Sequence, residues 1–172
     1  MNKGSIDRRN FLVGAATAAA IIPFGNVAAA QPRINSQPTQ ENSMTTMSFT
    51  KKVAPEWLLA FWKEIDDKTF GKGFDCFVED ATCRLGVAEW NGRETIRKNL
   101  RAFIDTGFTA HHDVVEYWDG GSLKVFRGIV TMTPDDRSKP PVRPVMTHFF
   151  YMDDADPTKV RSWVGSVGPV AF

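Results

Sequence analysis

Three histidines are the residues with the clearest chemical potential in this chain. His111 and His112 are adjacent, and His148 lies in a later, largely apolar segment. Imidazole ordinarily titrates near neutral pH, so a positioned pair can take a proton from a bound molecule and return it elsewhere. Such chemistry needs only acid and base groups in a dry pocket, and we expect no cofactor. The alternative is that each histidine is a hydrogen-bonded core residue.

The segment around His148 reads as a strand in which alternate residues share a face. His148 then lies in a row with Met146, Phe150 and Met152. An imidazole in an apolar row needs a hydrogen-bond partner, and burial would lower its pKa. We therefore take His148 as the first catalytic candidate.

The strand that begins at His111 can point only one of its two histidines inward. Alternation gives two faces: His112, Val114, Glu116 and Trp118 on one, and His111, Asp113, Val115 and Tyr117 on the other. Asp113 or Glu116 could pair with either ring. The sequence leaves open whether His111 or His112 is the catalytic residue.

The remaining candidates are acids, arginines and aromatic residues. Asp75, in a predicted short helix, is the one acid that we consider as a pocket base. The pairs Asp66-Asp67 and Asp153-Asp154 fall at expected helix ends and turns, where Asp usually caps. Arg127 lies on a strand face where its charge must meet either solvent or an anionic group. The candidate ligand-binding residues are Trp62, Arg84, Trp118, Arg127, Phe150 and Trp163. Two cysteines, Cys76 and Cys83, are too few for a tetrahedral zinc site, so we expect no metal and two free thiols rather than a bridge.

The N-terminus has the pattern of an export signal. Arg8-Arg9-Asn10-Phe11-Leu12 precedes an apolar run from Val13 to Phe24 and the small residues Ala28-Ala29-Ala30. This resembles a twin-arginine translocation signal, which predicts a signal peptide over 1–30 and a periplasmic or secreted protein. Residues 31–50 are polar and Pro-containing, which predicts a disordered linker. Met44 and Met47 offer internal starts that would omit the signal.

The charge balance excludes some partners for the remaining domain, 51–172. Residues 48–172 carry 17 Lys/Arg and 18 Asp/Glu. Nucleic acids and anionic membranes select clustered basic surfaces, so we expect neither as a partner once the signal is cleaved.

Periodicity predicts helices first and strands afterwards. Helices are predicted from Pro55 to Ile65, from Phe70 to Val78 and from Arg93 to Ile104, with a strand from Ala81 to Leu85. The later strands are predicted at His111–Trp118, Leu123–Thr133, Val145–Met152 and Val160–Val167. This order predicts an α+β fold with helices on one face of an antiparallel sheet.

Several short motifs in this order resemble the nuclear transport factor 2-like superfamily and its SnoaL-like proteins. They are Phe77-Val78-Glu79-Asp80-Ala81, Trp90-Asn91-Gly92-Arg93-Glu94-Thr95-Ile96, His111-His112-Asp113-Val114 and Trp118-Asp119-Gly120-Gly121. The resemblance implies a curved sheet wrapped round a helix into a cone with an apolar pocket. The superfamily that the chain resembles includes polyketide cyclases, ketosteroid isomerases, dehydratases and epoxide hydrolases. The end of the last predicted strand and the turn after it, Gly165-Ser166-Val167-Gly168-Pro169, lack the carboxylate that many of those enzymes carry there.

Three functions follow as hypotheses. The first is a cofactor-free lyase or isomerase that uses His148 with His112 or His111 on a small apolar or aromatic molecule. The second is a non-catalytic protein of the same fold that binds a ligand or forms a homodimer through its sheet. The third is a structural domain with a filled interior. Recurrent polar groups on strand faces favour the first.

Overall fold

The computed structural model describes residues 47–168. The predicted signal peptide and the predicted linker up to residue 46 lie outside the described residues, as do residues 169–172. The elements, in chain order, are strand β1 Thr50–Lys52, helix α1 Glu56–Asp66, a 3-10 helix Lys72–Cys76, strands β2 Phe77–Leu85 and β3 Ala88–Asn91, helix α2 Arg93–Ile104, and strands β4 Phe108–Asp119, β5 Leu123–Pro134, β6 Val145–Met152 and β7 Val160–Val167.

The strands form one curved sheet in the order β1-β4-β5-β6-β7-β2-β3. Strands β4 to β7 are a chain of antiparallel neighbours, as predicted from their turns. The prediction of a wholly antiparallel sheet is wrong at one junction, because β2 pairs with β7 in parallel. A parallel pair needs a long crossover, and the chain between β2 and β7 supplies it. The fold is α+β, with the helices packed on the sheet.

Helix α1 provides the centre of the core. Its buried residues follow the helical period: Leu58, Phe61, Trp62 and Ile65. Pro55 precedes the helix as its N-cap, where a missing N–H is tolerated. The helix ends at Asp66, and the next turn holds Lys68 at φ 56° and Phe70 at φ 52°. Because side chains other than glycine avoid the left-handed region, the turn that follows α1 is strained.

The predicted second helix, from Phe70 to Val78, is shorter in the structure. It is a 3-10 helix from Lys72 to Cys76, and β2 begins at once with Phe77, four residues before the predicted strand. This helix packs closely on α1, since a Cβ at Gly73 would lie 2.9 Å from the carbonyl oxygen of Ala60. Cys76 and Cys83 are buried free thiols.

A β-bulge in β4 changes which residues share a face. The pairing with β5 shifts register between Val114 and Glu116. Before the bulge His112 faces the core, and after it Tyr117 is buried, 4% exposed. Simple alternation placed Trp118 on the same face as His112, and that prediction is wrong because a bulge adds one residue to the strand.

Helix α2 begins after Gly92, which adopts φ 90°, and buries Ile96, Leu100 and Ile104 on one side. Its bounds, Arg93–Ile104, are those predicted from the sequence. Among residues 47–168, no helix is long and apolar enough to cross a membrane.

Candidate functional site

The inner face of the sheet brings two of the three histidines against helix α1. His112 comes from β4 and His148 from β6, and the indole of Trp62 in α1 contacts both rings. We call the five residues Trp62, Asp66, His112, His148 and Trp163 the histidine cluster. The rings of Phe61, Phe126 and Phe150 surround it.

Asp66, the last residue of α1, fixes the orientation of His112. Its Oδ2 accepts the backbone N–H of His112 at 2.9 Å, and its Oδ1 lies 2.5 Å from His112 Nδ1. The side chains are 15% and 7% exposed, so this contact is shielded from water. An ionised carboxylate only accepts hydrogen bonds, so Nδ1 of His112 carries the proton. In the neutral ring, Nε2 is then an acceptor and a potential base.

His148 has the opposite arrangement. The indole Nε1–H of Trp163 donates to His148 Nδ1 at 3.0 Å. Indole nitrogen is only a donor, so Nδ1 of His148 is unprotonated and the neutral ring carries its proton on Nε2. His148 is 3% exposed. Burial, and secondarily the charge of nearby His112, lower the pKa of His148 from 6.5 to about 3, so it is neutral at ordinary pH.

Gly165 makes room for the imidazole of His148. The two residues are paired across β6 and β7, and a Cβ on Gly165 would lie 2.1 Å from His148 Nδ1. On its other side the imidazole is parallel to the Phe126 ring, with centroids 5.6 Å apart and planes 11° apart. A hydrogen bond and an aromatic stack therefore hold the ring, and Gly165 leaves the space that it occupies.

The third polar group of the cluster is the indole N–H of Trp62. The residue is 4% exposed, and its Nε1 is buried without a hydrogen-bond partner among the described residues. Its ring stacks on His112 at 4.3 Å between centroids and lies 5.0 Å from that of His148. A buried donor without an acceptor costs about 1–3 kcal/mol, so this N–H destabilises the fold.

Together these contacts give the two rings complementary polarity at Nδ1, since Asp66 takes a proton donor there and Trp163 takes an acceptor. His112 offers an acceptor at Nε2, with Asp66 able to stabilise the imidazolium that forms when it takes a proton. His148 offers a donor at Nε2. Such an arrangement can remove a proton from one atom of a ligand and hold charge that develops on another.

His111, the alternative in the adjacent pair, points outward. Its side chain is 70% exposed, with Nδ1 3.5 Å from Asp66 Oδ2 and Nε2 3.4 Å from Asp113 Oδ1. The structure thus answers the question left by the sequence: His112 is the ring in the cluster. Asp113, suggested as its partner, lies beside His111 instead.

Four other candidate residues lie away from the cluster. Asp75 is 57% exposed and pairs with Arg93 and Arg97 of α2. Arg84 is 61% exposed beside Glu89 on the neighbouring strand. Arg127 is 49% exposed and faces Glu116 on the outer side of the sheet. Trp118 also lies on that side, under Lys51, because the β4 bulge turns it outward. Among the ligand-binding candidates, Trp62, Phe150 and Trp163 do meet at the cluster.

Asp66 is the residue that sequence reasoning missed. Its position predicts a helix-end cap, yet its partner His112 lies 46 positions along the chain. One signal was present: Trp62 and Asp66 are four residues apart, so they share a helix face with the buried stripe. An acid in line with that stripe points to the core. In the described part of the chain, no group of three or more His, Cys, Asp or Glu residues is arranged to hold a metal ion.

Comparisons with known proteins bear on the fold alone. No family model matches the sequence. No curated protein matches it either.

Solved structures do match. A protein with a ketosteroid isomerase-like fold from Catenulispora acidiphila, in complex with trimethylamine, superimposes with a TM-score of 0.57 at 16% identity, over 66% of this chain and 85% of that one. A candidate SnoaL-like polyketide cyclase from Shewanella denitrificans gives 0.53 at 13%, over 64% and 87%. A cystatin-fold protein from Novosphingobium aromaticivorans gives 0.54 at 17%, over 64% and 94%.

The chain therefore has the α+β fold shared by ketosteroid isomerase-like, SnoaL-like and cystatin-fold proteins. This is the fold that the sequence motifs predicted. Because proteins of one fold differ in activity, the function has to be argued from the histidine cluster itself.

Proposed function

We propose that the protein is a cofactor-free acid–base enzyme that acts on a small apolar or aromatic molecule, with His112 as the base. The reaction is of the dehydratase, isomerase or cyclase type, in which a proton leaves one atom of the substrate and charge moves to another. The observation that carries the proposal is a pair of contacts: Asp66 Oδ1 lies on His112 Nδ1, and the indole N–H of Trp163 donates to His148 Nδ1.

His112 takes the substrate proton at Nε2 while its Nδ1–H remains hydrogen-bonded to Asp66. The carboxylate stabilises the resulting imidazolium, as the third member of a catalytic triad does. His148 stays neutral, since its pKa is about 3, and donates its Nε2–H to the substrate atom that gains negative charge. The proton on His112 then returns to a different atom of the substrate or leaves with an expelled hydroxyl group.

The aromatic rings packed around the histidine cluster support an aromatic or apolar substrate. Phe150 and Trp163 are stacked with centroids 6.0 Å apart, and Trp57 meets Phe150 edge-on at 5.4 Å. Aromatic walls bury flat apolar surface and leave orientation to the few polar groups among them.

Proton transfer can be tested without knowing the natural substrate. We would follow deuterium uptake from heavy water into a panel of enolisable aromatic ketones, headed by 2-tetralone, by proton NMR. The purified protein should accelerate exchange at carbons next to the carbonyl, and His112→Gln should reduce the acceleration about a hundredfold or more. His111→Gln is the matched control, since the adjacent exposed ring should be dispensable.

A panel in which no ketone exchanges faster than in buffer would contradict the enzyme proposal. The same ketones binding without exchange would favour the second hypothesis, a non-catalytic ligand-binding protein of the same fold.

Export belongs to the same proposal. Arg8-Arg9 and the apolar run behind them support twin-arginine transport to the periplasm or outside the cell, with cleavage after Ala30. Replacing both arginines by Lys should keep a tagged precursor in the cytoplasm. Appearance of processed protein in the periplasm from that variant would contradict the proposal.

We also propose that the outer sheet face forms a homodimer. Val115, Val145 and Tyr151 are between 45% and 48% exposed, and a contact between two sheets would bury these apolar side chains. Val145→Glu should convert the dimer to a monomer in sedimentation experiments. A wild-type protein that sediments as a monomer at all concentrations would contradict this part.

A further inference from the structure

We propose that Arg101 of α2 is a positioning residue for the acid–base site. It holds the turn that follows α1, and through that turn it keeps the carboxylate of Asp66 on His112. This inference rests on the proposed function and adds a residue that lies outside the histidine cluster. Arg101 is exposed on α2, and its side chain contacts the turn.

The turn over residues 67–70 closes the end of α1. The backbone N–H groups of Asp67 and Thr69 bond to carbonyl oxygens of the helix, at 2.9 Å and 3.0 Å. The last carbonyl groups of a helix have no partner within the helix itself, so a turn that supplies N–H groups satisfies them. Because helix ends fray, opening of this turn would release the last residues of α1, and Asp66 is the final one.

The backbone of this turn is strained and needs support from outside. Lys68 has φ 56° and Phe70 has φ 52°, both in the left-handed region that side chains other than glycine avoid. Residues in such conformations persist where the surrounding structure holds them. The contacts that hold the turn therefore decide whether the end of α1 keeps its position.

Helix α2 supplies these contacts, mainly through Arg101. Its Nη2 donates to the carbonyl oxygen of Thr69 at 2.8 Å, and its guanidinium carbon lies 5.1 Å from the centroid of the Phe70 ring. A planar guanidinium can stack on a ring and donate a hydrogen bond at the same time. Phe70 is 2% exposed, so the ring is a fixed support. The other contact, Lys68 Nζ at 3.8 Å from Asp105 Oδ1, is a surface ion pair, and such pairs contribute little.

The turn connects Arg101 to the acid–base pair. Asp66 accepts the backbone N–H of His112 at 2.9 Å through one oxygen, and its other oxygen lies on His112 Nδ1. Both contacts require one position of the carboxylate, and a small displacement of a catalytic group has a large effect on rate. Helix α2 also leads through residues 105–107 into β4, which carries His112. Arg101 thus links the end of α1 to the segment that leads to its partner strand.

The inference is tested with Arg101→Met, which keeps an unbranched stem over Phe70 and removes the hydrogen-bond donor. Lys98→Met is the matched control, because Lys98 is an exposed residue of the same helix. Hydrogen exchange of the backbone amides is followed by 1H–15N NMR. The amides of Thr69 and Phe70 should exchange about tenfold faster in Arg101→Met and at the wild-type rate in Lys98→Met, because only the first variant lets the turn open.

Two further measurements separate positioning from stability. The Nδ1–H resonance of His112 should move or broaden in ligand-free Arg101→Met and stay unchanged in Lys98→Met. In the exchange assay with 2-tetralone, Arg101→Met should lower kcat about tenfold and leave KM unchanged, because Arg101 acts through Asp66 and does not touch the substrate.

Turn amides that exchange at the wild-type rate in Arg101→Met would overturn the inference. Faster exchange in the turn with an unmoved His112 resonance would overturn it as well, since the turn would then not position Asp66. The proposed function fails separately, if the wild-type protein does not accelerate ketone exchange. The NMR comparison of the ligand-free variants then still decides whether Arg101 positions the carboxylate.

Discussion

Two largely shielded carboxylates, Asp66 and Asp153, both lie at chain reversals but have partners of different kinds. Asp153, 6% exposed in its side chain, accepts two backbone N–H groups, from Ala155 at 3.1 Å and Asp156 at 2.9 Å, and pairs with the guanidinium of Arg161. Those backbone bonds, with Arg161, lower its pKa. Asp66, 15% exposed, is paired with imidazoles.

The difference between these carboxylates lies in whether the partner can exchange a proton. Arginine stays charged at all ordinary pH values, so the Asp153 pair can only hold the β6–β7 turn in place. Imidazole titrates near neutrality, so the Asp66 pair can support a change of charge during a reaction. Two aspartates of similar burial thus have different roles: Asp153 stabilises a turn, and Asp66 supports proton transfer at His112.

The largest expected effect comes from replacing each aspartate by the isosteric amide. Asp66→Asn should reduce ketone exchange by about a hundredfold to ten-thousandfold, because an amide cannot stabilise the imidazolium and can reverse the tautomer of His112. Asp153→Asn is the matched control: exchange should be unchanged, while the free energy of unfolding falls by about 1–3 kcal/mol. Urea unfolding and the NMR exchange assay measure the two effects. Equal loss of activity in both variants would remove the distinction.

The next effect concerns the space that His148 occupies. Gly165→Ala would place a Cβ 2.1 Å from His148 Nδ1, so the ring must move and release the Trp163 N–H. The expected loss is about 1–3 kcal/mol of unfolding free energy, with a shifted Trp163 indole resonance.

Gly168→Ala, at the end of β7, is the control, because its nearest neighbours would be at ordinary contact distances of 3.4 Å and more. A Gly165→Ala protein with unchanged stability and an unmoved Trp163 resonance would contradict the described packing.

A third prediction follows from the lowered pKa of His148. The unfolded chain binds a proton at this residue below pH 6.5, whereas the folded chain does so only near pH 3. Stability should therefore fall as the pH falls through this window, by up to about 1.4 kcal/mol per pH unit from this group. His148→Gln keeps an acceptor for Trp163 but does not titrate. Its unfolding free energy, measured in urea from pH 7 to 4, should fall less steeply; parallel curves would count against the buried neutral ring.

The smallest effect concerns the strained turn behind Asp66. Lys68→Gly places the most permissive residue at φ 56°, and should raise the unfolding free energy by about 0.5–1 kcal/mol without loss of exchange activity. Lys68 Nζ lies 3.8 Å from Asp105 Oδ1. A destabilised variant would mean that this ion pair contributes more to the free energy of unfolding than the backbone strain at Lys68 costs.

The sequence predicted the elements whose patterns are local. α2, β6 and β7 have their predicted bounds, and α1 is one residue out at each end, because each has a clear apolar period between turn or capping residues. The short edge strands β1 and β3 were missed, since three or four mostly exposed residues leave no alternating pattern.

The errors at the site are non-local in origin. The bulge in β4 reverses the faces of the strand after Val114, and no residue in the sequence marks it, so Trp118 was placed inside. The carboxylate partner of His112 was sought in the neighbouring residues, whereas it comes from α1. The sequence does place His148 and Phe150 on the inner face of their strand, because the apolar alternation of β6 marks that face.

The tautomers of the two buried histidines test the central claim most directly. Long-range 1H–15N NMR of the ligand-free protein at pH 7 assigns which nitrogen of each ring carries the proton. The account predicts a proton on Nδ1 of His112 and on Nε2 of His148, with His148 still neutral at pH 5. A spectrum with His112 protonated on Nε2 alone, or with His148 charged at pH 5, would contradict the assignment of base and donor.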